Sequence, residues 1–335
     1  MQTVIALGFF DGVHLGHWEL LHRTAALAAE RGWRSAALTF DRSPGKDGRL
    51  LTTVEDRIRL IRGLCGVEDV FVLPFSEEFR RMDWERFLES LVRAHDAAHF
   101  VCGWDYRFGY LGAGNAGTLR SWCAAQGLGC DVIAPRVLDG VTVSSTYIKT
   151  LIEAGDVETA ARFYGHLHSL SGTVQSGRHL GRTLGFPTAN LVPPPELVLP
   201  RDGVYAVTAA LIEPGGQAML VPTEARDVRG DGGQAMLVPT EDAGAVAHTV
   251  RRCGEGPERR LYSGVCNVGT RPTVGGHRRT VETWLAGFDG DLYGQTLSLE
   301  FCRFLRPEQS FPDLEALREQ VERDKAAALA YFSAP

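Results

Sequence analysis

The chain opens on an apolar, partly β-branched run, Thr3 to Phe10, that passes through Asp11-Gly12-Val13-His14-Leu15-Gly16-His17 into Trp18 to Arg31. That second stretch has the length and alanine content of a helix, and Gly32 closes it. A buried strand joined to a helix by so short a turn is a unit of a parallel α/β sheet. It also fixes where chemistry can happen, because free backbone N–H groups and the positive end of the helix dipole converge on the turn and favour an anion. Gly12 and Gly16 let main chain approach a ligand closely, and Gly8, Phe10 and Asp11 complete a candidate triphosphate site. His14 and His17, three residues apart, share one face of the first helical turn and can hydrogen-bond to a triphosphate as negative charge builds on it. Alone, His-x-x-His is also two polar residues on a helix. A zinc reading needs further ligands, and the seven cysteines contain no Cys-x-x-Cys.

The strand-helix pattern then repeats. Strand-like runs at Ser35–Thr39, Asp69–Pro74, His99–Cys102 and Cys130–Ala134 alternate with helical runs at Val54–Leu64, Asp83–Arg93 and Leu119–Gln126. This predicts a parallel sheet covered on both faces, with its ligand at the carboxyl ends of the strands. One such end, Gly103-Trp104-Asp105-Tyr106-Arg107-Phe108-Gly109, is aromatic and glycine-rich and runs on to Asn115. Later, Ser144-Ser145-Thr146-Tyr147-Ile148-Lys149 leads into a helical pattern from Thr150 to Tyr164. Three consecutive hydroxyl residues are N-cap material, and Lys149, one turn into the helix, can reach the anion the caps face.

A His-x-Gly-His loop after the first strand, combined with a Ser-Ser-Thr loop and a following cation, resembles the nucleotidyltransferases. More narrowly, it resembles the bacterial bifunctional riboflavin kinase/FMN adenylyltransferases. The resemblance implies a Rossmann-like N-terminal domain, residues 1–166, that adenylylates FMN to FAD. It implies catalytic roles for His14, His17 and Lys149, and ATP-phosphate contacts from Gly8, Phe10, Asp11, Gly16, Ser144, Ser145 and Thr146. Gly103, Asp105, Tyr106, Phe108 and Asn115 would lie on the flavin side. The chain departs from the family pattern at Tyr106, at Tyr147 in a place commonly basic, at Ser43-Pro44 where His-Pro is frequent, and at Lys149 in a place usually held by arginine. An ammonium keeps the charge of a guanidinium without its bidentate fork.

From His168 the texture changes, so the boundary is expected near Gly165–Ser169. Short alternating runs such as Gly203–Ala209, Val281–Leu285 and Leu297–Phe301, separated by Gly- and Pro-rich turns, predict an antiparallel barrel. Leu314, Leu317 and Val321 mark one face of a terminal helix. Gly177, Gly181 and Gly185 sit in a turn-rich stretch that ends in Thr188 and Asn190, whose hydroxyl and amide oxygens suit Mg2+ beside ATP phosphates. There is no Gly-Lys-Ser/Thr, hence no P-loop. Period-2 alternation puts Val281, Thr283 and Leu285 on one strand face and Glu282 on the other. Pro187-Thr188-Ala189-Asn190 resembles the signature of riboflavin kinases. The resemblance implies a kinase domain over residues 167–335 in which Gly177, Gly181 and Gly185 contact ATP, Glu282 is the general base, and Asn267 and Arg271 face the flavin.

Within that half Gly215–Glu224 recurs letter for letter at Gly232–Glu241, inside a region from about 213 to 260 with little periodicity, read as a loop insertion grown by tandem duplication. The net charge of −6 argues against wholesale nucleic-acid binding. No run reaches the roughly 18 apolar residues of a membrane helix, and the scattered cysteines fit reduced thiols. The expectation is a cytoplasmic enzyme using riboflavin, FMN and ATP with Mg2+. Two rivals stand beside it. One is a riboflavin kinase whose first domain only senses flavin or nucleotide. The other, built on His-x-Gly-His alone, is a cytidylyltransferase or a fragment of a class I synthetase.

Overall fold

The computed structural model describes residues 1–45, 48–175, 187–212, 237–239, 247–250, 260–273 and 276–333. They form two compact units, Met1–Ile148 and Lys149–Pro335.

The first unit runs β1 (Thr3–Leu7), α1 (Leu15–Arg31), β2 (Arg34–Phe40), α2 (Val54–Cys65), β3 (Asp69–Leu73), α3 (Glu77–Arg80), α4 (Trp84–His95) and β4 (Ala97–Gly103). It continues through two short strands, β5 (Arg107–Phe108) and β6 (Gly114–Asn115), to α5 (Ala116–Ala125), β7 (Gly129–Ile133), β8 (Val137–Leu138) and β9 (Val141–Thr142). Five strands form a parallel sheet in the order β3-β2-β1-β4-β7, as the alternation predicts. Ile5, Leu38 and Phe100 from the sheet pack with Leu88 of α4 and Leu119 of α5 in one core.

Strand β1 stops at Leu7, three residues short of the expected Phe10, because Phe10 and Val13 take positive φ angles of 56° and 43° that turn the chain out of the sheet. At Gly8 an added Cβ would come within 2.7 Å of the Phe10 ring, so the turn folds back over a glycine. The helix begins correspondingly early, at Leu15, with His14 as its N-cap.

The second unit takes up α6 (Ser145–Ala154) at Lys149 and adds α7 (Val157–Tyr164), β10 (His168–Gln175), β11 (Ala189–Leu191), β12 (Gly203–Ile212), β13 (Leu237–Pro239) and β14 (Ala247–Val250). It ends with β15 (Arg260–Thr273), β16 (Gly276–Leu285), β17 (Thr296–Arg306) and α8 (Leu314–Ser333). The single helical pattern expected up to Tyr164 is two helices. Gly155, at φ 80°, ends the first, and Asp156 caps the second by accepting the Thr159 N–H at 3.0 Å. The barrel closes as a six-strand antiparallel ring, β12-β17-β10-β11-β16-β15, with β15 pairing back to β12.

One expectation needs correction and another needs extension. The region read as plain loop contributes β13 and β14, an antiparallel pair attached to the first residues of β15, a strand long enough to serve both this hairpin and the ring. The terminal helix docks by the predicted face except at its first residue: Leu314 is 61% exposed, Leu317 and Val321 are half-buried, and Asp324 and Ala328, which continue the same 3–4 spacing, are buried beside Lys325. Asp324 accepts two hydrogen bonds from Arg306 at the end of β17, at 2.8 and 2.7 Å, and the Lys325 ammonium stands 4.6 Å from the centre of the Trp284 ring. Paired charges and a cation–π contact supplement the apolar stripe in anchoring this helix. No described helix is long and apolar enough to cross a membrane. No disulfide joins any two of the six described cysteines.

Candidate active sites

A cavity of about 660 Å³ opens at the carboxyl ends of the parallel strands, a volume suited to a nucleotide-sized ligand. Gly8, Phe10, Gly16 and both histidines line it, together with Gly103 to Gly112 and Ser144 to Thr146, so the two motifs 130 residues apart in sequence meet in one site. Their junction is direct: the Ser145 hydroxyl donates to the Asp11 carbonyl at 2.9 Å.

His14 caps α1 through its ring, Nδ1 accepting the His17 N–H at 3.3 Å. The two imidazoles stack with centres 3.6 Å apart and planes 15° from parallel, and the Phe10 ring meets His17 edge-on at 5.3 Å. A Cβ on Gly16 would press to 3.2 Å on the His14 ring, which is why a glycine separates the pair. Burial, then His14, then the Arg57 guanidinium hold the His17 pKa well below its ordinary value. His17 is therefore neutral at physiological pH, with one ring N–H to donate.

Asp11 works differently from its neighbours. Its buried carboxylate accepts the backbone N–H groups of Leu51 (2.9 and 3.1 Å) and Thr52 (3.1 Å) and the Thr52 hydroxyl (3.2 Å), which pins the loop before α2 under the turn. Asn115 likewise caps α5, its Oδ1 accepting the N–H groups of Gly117 and Thr118 at 2.9 and 3.1 Å in a reciprocal capping box. Neither residue is among those lining the cavity. Gly103, Asp105, Tyr106 and Phe108 do line it. Tyr106 stacks on Phe108 at 5.4 Å, and burial pushes its hydroxyl pKa up. Gly109 takes φ 74°, and a Cβ there would collide with Trp84. Pro44 lines the cavity beside its neighbour Ser43, whose hydroxyl accepts the Gly45 N–H at 3.1 Å. Tyr147 and Lys149 lie on α6, Lys149 as the first residue of the second unit.

Arg80, Arg81 and Arg136 also line the cavity; the first two pair with Glu77, which lines it too, and Arg136 pairs with Glu19. Arg80 and Arg81 escaped sequence reasoning because a four-residue helix carries no period and an Arg-Arg pair reads as a solvated face.

In the second unit a cavity of about 450 Å³ is lined by Pro187 to Asn190, Thr283 to Leu285 and Phe288 to Tyr293. Thr188 and Asn190 line it, whereas Glu282 and Asn267 are not among its lining residues and are placed by register. Asn190 of β11 lies opposite Glu282 of β16, and Glu282 lies opposite Asn267 of β15, so the three share a sheet face. Val281, Thr283 and Leu285 are buried on the other, as the alternation predicts. Asn190 donates through Nδ2 to the Thr188 carbonyl at 3.3 Å, and Asn267 through Nδ2 to Glu308 at 3.0 Å. Among the described residues no group of three His, Cys, Asp or Glu can hold a metal. A threonine hydroxyl and an amide oxygen beside a carboxylate fit a hard cation that completes its shell with phosphate and water. Arg271 is placed by its backbone on β15, opposite Arg278. Gly177, Gly181 and Gly185 lie outside the described residues.

Comparison with known proteins gives each half of the chain its own match, with residues 148–163 in neither. A FAD synthetase family model matches residues 1–147, and a riboflavin kinase model matches residues 164–332. The bifunctional riboflavin kinase/FMN adenylyltransferase of Bacillus subtilis is 31% identical over 99% of this chain and 93% of its own length. The like-named proteins of Escherichia coli K12 and Pseudomonas fluorescens are 30% and 31% identical, each over 98% of this chain and 92% of its own length. A crystal structure described as a macrolide-efflux protein from Streptococcus pneumoniae superposes with a TM-score of 0.75 at 24% identity, covering 98% of this chain and 93% of the other; it shows the shared fold alone.

Proposed function

The chain belongs to the bifunctional riboflavin kinase/FMN adenylyltransferase family, and from that premise we propose how its residues divide the two ATP-dependent steps. The second unit phosphorylates riboflavin to FMN; the first joins FMN to the adenylyl group of ATP to give FAD.

In the first unit an FMN phosphate oxygen attacks the α-phosphorus of ATP and pyrophosphate leaves. The stacked histidine pair facing the larger cavity carries this reading. His14 and His17 donate to the triphosphate as charge moves onto the leaving group. Ser144, Ser145 and Thr146 present the start of α6 to the same phosphates, Lys149 adds a point charge, and the Tyr106–Phe108 stack supports the flavin ring. Asp11 acts from beneath, by holding the turn.

In the second unit Glu282 takes the proton of the ribityl 5′-hydroxyl as that oxygen attacks the γ-phosphorus and ADP leaves. Its support is the shared face of Asn190, Glu282 and Asn267. Thr188 and Asn190 would hold Mg2+, which when bound neutralises phosphate charge. The test is chromatographic separation of flavins after incubation with riboflavin and ATP, with and without Mg2+. FMN followed by FAD is expected, in the Mg2+ sample alone. Accumulation that stops at FMN would move the first unit to the sensing role.

A further inference from the structure

Arg57 of α2 is wholly buried, a costly place for a guanidinium. Its Nη1 donates to Thr39 Oγ1 at 2.8 Å and to the Phe40 carbonyl at 3.0 Å, at the carboxyl end of β2. Thr39 Oγ1 in turn donates to the Phe9 carbonyl at 2.7 Å, which ties the arginine through one hydroxyl to the segment leaving β1. The guanidinium carbon also stands 4.2 Å from the centre of the Phe9 ring. The next residue, Phe10, is the one held at positive φ with its ring against His17. Arg57 is not among the residues lining the cavity.

Stability alone does not account for such a group. Its Nε and Nη2 are buried without a hydrogen-bond partner among the described residues. The Asp11 carboxylate is occupied by Leu51 and Thr52, and Asp56 on the same helix pairs with Arg59. An apolar side chain of similar volume would fill the space with no donor left unmade.

We infer that Arg57 is a positioning residue for adenylyl transfer: it locks the Phe9–Phe10 corner from behind and so fixes the His17 imidazole, without touching substrate. This rests on the reading of His17 as a donor to the triphosphate. The charged and titratable groups facing His17 are His14 from the turn and Arg57 from α2, with Asp11 near enough to act on Arg57.

The test uses the full chain and four variants: Arg57→Met, Arg57→Lys, Thr39→Val and His17→Ala. FMN-to-FAD kinetics are measured with riboflavin phosphorylation by the same sample as the folding control, and the His17 ring is titrated by NMR. Arg57→Met and Thr39→Val should lower kcat for adenylylation by about 10- to 100-fold, the scale of a small misplacement. KM for ATP should stay within about threefold. Arg57→Lys should recover part of the rate, and the His17 ring should titrate at higher pH in Arg57→Met. Parent-like kcat in both Arg57→Met and Thr39→Val, or an unmoved His17 titration in Arg57→Met, overturns the inference. If Arg57→Met does not fold, Thr39→Val, which keeps the cation and removes only the relay oxygen, decides. A His17→Ala enzyme that still makes FAD overturns the underlying reading, and the titration of His17 then still judges Arg57.

Discussion

The two units hold their candidate polar groups in place by opposite constructions. In the first, the groups come from turns, and each is held by something behind it: His14 caps a helix, Asp11 clamps a loop, Phe10 rests at positive φ. In the second, the groups project from neighbouring strands whose register alone brings Asn190, Glu282 and Asn267 together. A site made of turns depends on residues far outside its cavity, whereas a site made in register depends on the sheet. Substitutions beneath the surface should therefore damage adenylylation more readily than phosphorylation.

The hardest way to break this comparison is to remove one chemical group from each side. Glu282→Gln keeps the shape of the strand but loses the base, so riboflavin phosphorylation should fall by about 10²- to 10⁴-fold. Supplied FMN should still be converted to FAD at the parent rate. His17→Ala should do the reverse, lowering FAD formation by about 10²- to 10³-fold with FMN formation intact. Parallel loss of both activities in either variant would mean that the sites are not separable.

A finer distinction concerns Lys149. Lys149→Ala should slow adenylylation roughly tenfold, the order expected for one charge-assisted hydrogen bond. Lys149→Arg should preserve or raise the rate, since a guanidinium engages two phosphate oxygens. Equal rates of FAD formation in parent, alanine and arginine enzymes would remove Lys149 from the mechanism.

Acid sharpens the comparison in a different way. His168, at the start of β10, is buried against Tyr164 and Phe301, and burial, then His166, lowers its pKa from 6.5 to about 3. Because the unfolded chain takes up a proton that the folded one refuses, the stability His168 confers is complete above pH 6.5 and is lost as pH falls toward 3. Between pH 7 and pH 5 the loss is about 2 kcal/mol. Thermal unfolding of parent and His168→Gln at the two pH values measures it; the variant should lose less on acidification. His17 imposes the same sign of dependence on the first unit.

The smallest effect is expected from the duplicated segment. Deleting Gly215–Asp231 should leave both activities within a few-fold, because loop length adds little closure entropy. A selective fall in kinase turnover would show that the segment contributes to the second cavity.

What could be read from the sequence follows the same division. Alternation placed all five parallel strands and the Glu282 face, because burial on a strand has a fixed period. Glycine and hydroxyl motifs marked both cavities. Less legible were contacts made at a distance. Asp11 and Asn115 have the residue types of ligand contacts but are occupied by backbone N–H groups 40 residues away and two to three residues away. Arg57 has the residue type of a surface helix and is wholly buried. The break at Gly155 hid inside a continuous helical pattern, and the hydrophobic period that marked the docking face of α8 did not register the charges, Asp324 and Lys325, buried on it.

Closure of the barrel bears on how the chain acquires its two activities during synthesis. The ring needs β10 paired with β17, His168 opposite Phe301, and β17 paired in turn with β12. These pairings span most of the second unit, and such long-range contacts form late and slowly. A nascent chain that has emerged only as far as β16 holds every described strand of the parallel sheet but an open ring, with unpaired edges where β17 belongs. Translation thus exposes a period in which the first fold can be complete while the second still lacks its final strand. Ribosome-stalled chains ending before and after β17 should differ sharply in protease resistance of the second unit and little in that of the first.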